Sequence, residues 1–212
     1  MPTVLDKYEY TKYQTRNPFV LKLINGFYKK INLIVRDLNC QSILDAGCGD
    51  GEALIRLKRC LPDNVAAFDI NKGRIDDARN RLPDVKIETQ DIYQLPYDDN
   101  SFDLILCLEV LEHLKNPSSA LKEIARVTSK YLIVSVPSGP FFVLGDLMWG
   151  RNILLCGNDQ DHVNHRNKKA FRKILSEEVR VDKLITFFYW LITLCGKEFF
   201  IEIKCFHYRQ EL

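Results

Sequence analysis

"ILDAGCGDGE", residues 43 to 52, joins a short apolar run to a helix-forming run through three alternating glycines. Gly47, Gly49 and Gly51 lack side chains, so the backbone there can turn tightly and approach a ligand closely. Strand, glycine loop and helix in that order place the stretch at the carboxyl edge of an open α/β sheet, where such folds bind ligands. A dinucleotide loop would carry glycine at the sixth position of G-x-G-x-x-G, and Glu52 stands there instead. No G-K-[ST] follows, so nothing marks a polyphosphate. The ligand class that remains is a nucleoside without one.

Outward from this loop, strand-like and helix-like runs alternate. "SILDAG" precedes the helix "GEALIRLKRCL", "VAAFDI" precedes "KGRIDDARNRL", and "VKIETQDI" leads through "LPYDDNS" to the strand "FDLILCL". The helix "SSALKEIARVT" behind Pro117 and the strand "KYLIVSVP" complete the series. That alternation predicts parallel β-α-β units. Ahead of it, "FVLKLINGFYKKINLIVRDL" has apolar residues at helical spacing and reads as one or two helices. Beyond Pro137 the pattern changes to an apolar, glycine-dotted stretch, a helix "NKKAFRKILS", and two strand-like runs around Gly196 that suggest a closing hairpin at an antiparallel edge. The expected layout is one domain over 1–212. It has N-terminal helices in 1–39, a binding core in 40–137, an insert or lid and a helix in 138–178, and closing strands in 179–212.

Bulk composition narrows the classes. Of 212 residues 46% are apolar and 27% charged, an ordinary balance for a globular protein. A formal net charge of +2 offers no support for nucleic acid as a partner. Seven scattered cysteines, odd in number and without a Cys-x-x-Cys pair, argue against a disulfide framework or zinc ribbon. The polar start "MPTVLDKYEY" does not read as a secretory signal, and "LITFFYWLITLC" is too short to span a bilayer. A cytoplasmic location is expected; the sequence leaves the oligomeric state open.

Three acids fall on strand ends. Asp45 lies two residues before the first loop glycine, Asp69 ends the second strand where ribose hydroxyls could donate to it, and Asp91 ends the third, facing a donor such as an adenine amino group. After the fourth strand, "EVLEHL" sets Glu109, Glu112 and His113 at offsets of three and four. On a helix opening at Glu109 they would share a face. Such a face could hold a divalent metal, supply a base, or be an ordinary wet surface.

Together, "ILDAGCGDGE", "AFDIN", "TQDIYQLPYDDNSFDLILCLEVLEHLKNP" and "VSVP" resemble the class I S-adenosylmethionine-dependent methyltransferases, in particular the type-11 and ubiquinone-biosynthesis O-methyltransferase-like group. The resemblance is strong over residues 40 to 137. It implies an α/β, Rossmann-like, seven-stranded, mostly parallel sheet with an antiparallel last strand and helices on both faces. It implies S-adenosylmethionine as cofactor, with Asp45, Gly47, Gly49 and Gly51 at its methionine end and Asp69 with Ile70 at the ribose. Asp91 and Ile92 would meet the adenine, and the backbone of Leu108 would touch the cofactor. It also adds His162, from "NDQDHVNHRNKKAF", as a fourth candidate beside Glu109, Glu112 and His113 for a divalent metal. That donor set suits manganese, iron or zinc better than magnesium. Without a metal, His113 or His162 is the candidate general base. His165 and His207 read as surface or core residues. The apolar stretch 139–157 reads as a lid or as core, and as a lid it would suit a small-molecule, lipid-linked or glycan acceptor. The expected function is O-methylation of such an acceptor. The alternatives are a catalytically silent partner subunit, an RNA 2′-O-methyltransferase and, more weakly, a nicotinamide oxidoreductase.

Overall fold

In the computed structural model, residues 17–137, 168–187 and 190–196 are described. Asn17 caps the first helix, α1 (Pro18–Leu38), accepting from the Phe19 and Val20 amides, with Pro18 at the first turn where no amide is needed. The predicted one-or-two helices are one. Strand β1 (Ser42–Ala46) and helix α2 (Glu52–Leu57) flank the glycine loop, and a tighter turn, Lys58–Cys60, ends α2 earlier than its sequence pattern suggests. Then come β2 (Asn64–Asp69), α3 (Lys72–Arg81), β3 (Lys86–Thr89) and β4 (Phe102–Leu108). Helix α4 (Pro117–Val127), capped by Asn116, leads into β5 (Thr128–Pro137). After α5 (Lys168–Glu178), strands β6 (Arg180–Phe187) and β7 (Trp190–Gly196) close the chain of described elements.

The sheet order is β3-β2-β1-β4-β5-β7-β6. Pairings from β3 through β5 are parallel, while β7 is antiparallel to both β5 and β6. This is the seven-stranded, mostly parallel sheet the sequence implies, with one correction. The closing hairpin turns before Trp190, not at Gly196, because "LITFFYWLITLC" supplies the end of one strand and most of the next. The closing hairpin does form the expected antiparallel edge, with β6 outermost and β7 between it and β5.

Side chains alternate across the sheet, and each face has its helices. Ile105 and Cys107 pack with Ala120, Leu121 and Ile124 of α4 and Phe171 and Leu175 of α5. Leu104 and Leu106 pack with Ile24, Phe27 and Ile31 of α1 and Leu57 of α2. Ile31 has no exposed surface, and truncating such a residue to alanine costs about 2–5 kcal/mol. The chain winds from β1 outward to β3 and returns to β4 on the other side of β1. The resulting crevice above β1 and β4 is where the sheet can receive a ligand.

Candidate functional site

The glycine loop folds back over the end of β2. The Gly47 and Cys48 amides donate to the Phe68 carbonyl at 2.8 and 2.9 Å, and Gly51 donates to Cys48 at 2.9 Å. All three glycines have positive φ, at 79, 55 and 81°. A Cβ on Gly47 would stand 2.5 Å from Val110 Cγ2, and one on Gly51 would stand 2.7 Å from Leu82 Cδ1. Glycine is required here by packing as well as by backbone angle.

Asp69 ties the loop to the next helix. Its Oδ2 accepts from Gly49 at 2.9 Å and its Oδ1 from the Asn71 amide at 2.8 Å. Each carboxylate oxygen retains acceptor capacity for a ligand hydroxyl. Asp45 is only 2% exposed, below the loop, and its Oδ2 has no hydrogen-bond partner among the described residues. Burial, and secondarily the Asp69 charge, push its carboxyl up to about 7. Burial also pushes the Cys48 and Cys107 thiols up, which leaves neither disposed to act as a thiolate.

A second wall comes from the segment after β3. Strand β3 stops at Thr89, so Asp91 lies two residues past its end, exposed, with Oδ1 accepting from Tyr93 at 3.0 Å. Arg126 of α4 holds this segment by donating to the Leu95 and Tyr97 carbonyls at 3.1 and 2.8 Å, while Glu123 accepts from the Leu95 amide at 2.8 Å. The Tyr93 hydroxyl accepts from the Asn116 amide at 3.2 Å. Ile70 is 71% exposed and Tyr93 39%, two large apolar side chains left open beside the crevice.

The third wall follows β4, and here the expected helix face is absent. Glu109 adopts φ 59°, left-handed for a residue with a Cβ, and the only helical turn is the short one at Leu111–His113. The Glu109 amide donates to Ser135 O at 3.1 Å, the Ser135 hydroxyl donates to Glu109 Oε1 at 3.1 Å, and the Trp190 indole donates to Glu109 Oε2 at 2.9 Å. Glu112 is 3% exposed, while His113 lines the crevice. Glu109, Glu112 and His113 therefore do not share one helical face. Among the described residues no group of three or more His, Cys, Asp or Glu side chains is arranged to hold a metal. His162 and His165, the 139–157 stretch and His207 lie outside the described residues.

The three walls enclose a cleft of about 270 Å³, lined by Gly47, Asp69, Ile70, Asp91, Ile92, Glu109 and His113 among others. Asp45, Gly49, Gly51 and Leu108 are not among the residues that line it. Asn71, Arg74, Gln90, Tyr93, Val110 and Leu114 also line it, and none of the sequence motifs above marks them. Asn71, the α3 N-cap accepting from Arg74 at 3.2 Å, could have been found from "DINKGR" as a cap directly after the strand acid.

Residues 44–133 match the family model described as a methyltransferase domain. A probable S-adenosylmethionine-dependent methyltransferase of Mycobacterium tuberculosis is 29% identical over 124 residues, covering 56% of this chain and 45% of that protein. The 27-O-demethylrifamycin SV methyltransferase of Amycolatopsis mediterranei is 31% identical over 111 residues, 46% of this chain and 41% of that one. The chain thus spans about half the length of the curated relatives it matches. Among solved structures, magnesium protoporphyrin IX methyltransferase from Synechocystis with bound SAH superposes with a TM-score of 0.67 at 20% identity, over 91% of this chain and 96% of that one, a likeness of fold.

Proposed function

We propose that this chain, a class I S-adenosylmethionine-dependent methyltransferase through residues 44–133, transfers the cofactor's methyl group to an oxygen of a small-molecule, lipid-linked or glycan acceptor. The observation that carries the reading is the pinning of the glycine loop by Asp69 at one end of a cleft whose other walls are Asp91 and His113.

The residues present fit the cofactor. Gly47 brings bare backbone to the cleft with Val110 packed against it, and Asp69 retains acceptor capacity for two ribose hydroxyls. Ile70, Ile92 and Tyr93 offer apolar walls for a flat base, with Asp91 beside them to take an amino proton. Asp45, Gly49 and Gly51 set the loop that receives the methionine end, and Leu108 brings the fourth strand up to it. When bound, the cofactor supplies an electrophilic methyl on a positively charged sulfur.

The protein's share is chiefly positioning, since holding acceptor and methyl in line replaces a bimolecular encounter. In this reading His113, which lines the cleft, takes the acceptor's proton as a general base. His162 belongs to the same proposal only if the insert carries it to this cleft. The Glu109 and Glu112 geometry gives a metal-assisted route no support. Calorimetry with S-adenosylhomocysteine tests the reading: micromolar binding, lost in Asp69→Ala, is expected. No binding at millimolar ligand would overturn it.

A further inference from the structure

Glu109 is a charged side chain held in a costly backbone conformation by groups from two other strands. A non-glycine residue at φ 59° persists only where its surroundings over-determine it. Those surroundings are Ser135 on β5, through both hydroxyl and carbonyl, and Trp190 on β7, through its indole N–H. Trp190 is itself fixed: it is buried, with its ring 4.6 Å from that of Phe27 on α1. Glu109 itself lines the cleft, next in sequence to Val110, whose side chain packs against Gly47. The ribose and base residues Asp69, Ile70, Asp91 and Tyr93 are on the other walls.

We infer that Trp190 is a positioning residue that fixes the Glu109 carboxylate at the reacting end of the cleft, where its negative charge favours a sulfonium over a neutral thioether. The inference rests on the cofactor reading above. It assigns the site a means of telling substrate from product: S-adenosylmethionine carries a positive sulfur, and S-adenosylhomocysteine does not. A fixed charge several ångströms away in a partly wet cleft changes affinity by about three- to tenfold. An indole N–H at 2.9 Å keeps the carboxylate from swinging away, and Ser135 sets its other oxygen.

The test is calorimetric titration of the full chain with S-adenosylmethionine and, separately, with S-adenosylhomocysteine. The ratio of the two dissociation constants is the readout. In Glu109→Gln, affinity for S-adenosylmethionine should fall about three- to tenfold more than affinity for S-adenosylhomocysteine. Trp190→Phe, which keeps a ring against Phe27 but removes the donor, should shift the ratio the same way by about two- to threefold or more. The double variant should match Glu109→Gln alone, because Trp190 acts through Glu109. An unchanged ratio in Glu109→Gln, or a further shift on adding Trp190→Phe, overturns the inference. If Trp190→Phe does not fold, Ser135→Ala takes its place with the same expected direction, and no shift there counts equally against the idea. Failure of the unsubstituted chain to bind either compound would instead sink the cofactor reading itself.

Discussion

The Gly49 amide donates to Asp69 Oδ2 at 2.9 Å, so the loop after β1 is tied to the end of β2 before any ligand enters. The bond gives Asp69 two tasks, and they separate by substitution. Asp69→Ala removes the acceptor for both Gly49 and Asn71 and should cost about 1–3 kcal/mol of stability. It should also weaken S-adenosylhomocysteine binding at least a hundredfold. Asp69→Asn keeps one acceptor oxygen, so most of the stability should return while binding stays impaired. Denaturant melts beside calorimetry distinguish the two, and an Asp69→Ala protein that binds normally would remove the residue from the site.

Asp45 makes the apoprotein's stability depend on pH. Its carboxyl is pushed up to about 7 by burial and by Asp69, whereas in the unfolded chain it titrates in the ordinary range near 4. Between those values the folded protein holds a proton that the unfolded chain has released. Stability is then greatest at the acid end and falls as pH rises from about 4 to about 7, levelling above. Asp45→Asn, neutral throughout, should flatten this trend and be more stable than the parent at pH 8 by roughly 1–3 kcal/mol. Urea unfolding at pH 5.5 and 8 measures it; a parent chain that gains stability over that interval relative to Asp45→Asn would show the sign to be wrong.

How much of this was legible in residues follows from the range of the interactions involved. The glycine loop and Asp69 at the end of β2 could be read because strand, loop and helix are neighbours in sequence, whereas Asp91 lies two residues past the strand it was expected to end. The mostly parallel sheet with its antiparallel close followed from alternation and from the family resemblance; the strand order did not. Glu109 could not be read correctly. Its offsets to Glu112 and His113 suggest a helix, but partners 26 and 81 residues away, Ser135 and Trp190, hold its backbone left-handed. Similarly, "LITFFYWLITLC" reads as one apolar run, since nothing in it marks the turn before Trp190. Arg126, which fixes the 95–99 segment by reaching 27 to 31 residues back, looks in sequence like any helix-surface cation.

Gly47 and Val110 form a pair that can be tested as one. Gly47→Ala places a methyl 2.5 Å from Val110 Cγ2 at φ 79°, combining steric overlap with backbone strain. A loss of about 2 kcal/mol or more is expected, with weaker cofactor binding because the loop or Val110 on the cleft wall must shift. Adding Val110→Ala should recover part of the stability by removing the overlap, though not the strain. Gly49→Ala, at φ 55° with only Arg74 Nη1 at 3.5 Å, should cost less than Gly47→Ala. Thermal melts of the four proteins decide it; equal losses for Gly47→Ala and Gly49→Ala would show that backbone angle alone sets the cost.

Metal removal separates the two readings of "EVLEHL". Both Glu109 oxygens accept protein hydrogen bonds, and Glu112 is buried, so an ion at this turn would have to displace Ser135 and Trp190 and draw out Glu112. Dialysis against a chelator should therefore leave the melting temperature and S-adenosylhomocysteine affinity unchanged, and added manganese or zinc should raise neither. Once an acceptor is found, turnover should likewise survive chelation but fall about a hundredfold or more in His113→Ala, the loss expected for a general base. A melting temperature that rises with manganese or zinc, and ceases to do so in Glu109→Ala and His162→Ala alike, would restore the four-ligand site. It would mean that the metal reorganises the turn after β4, freeing the Glu109 carboxylate from Trp190.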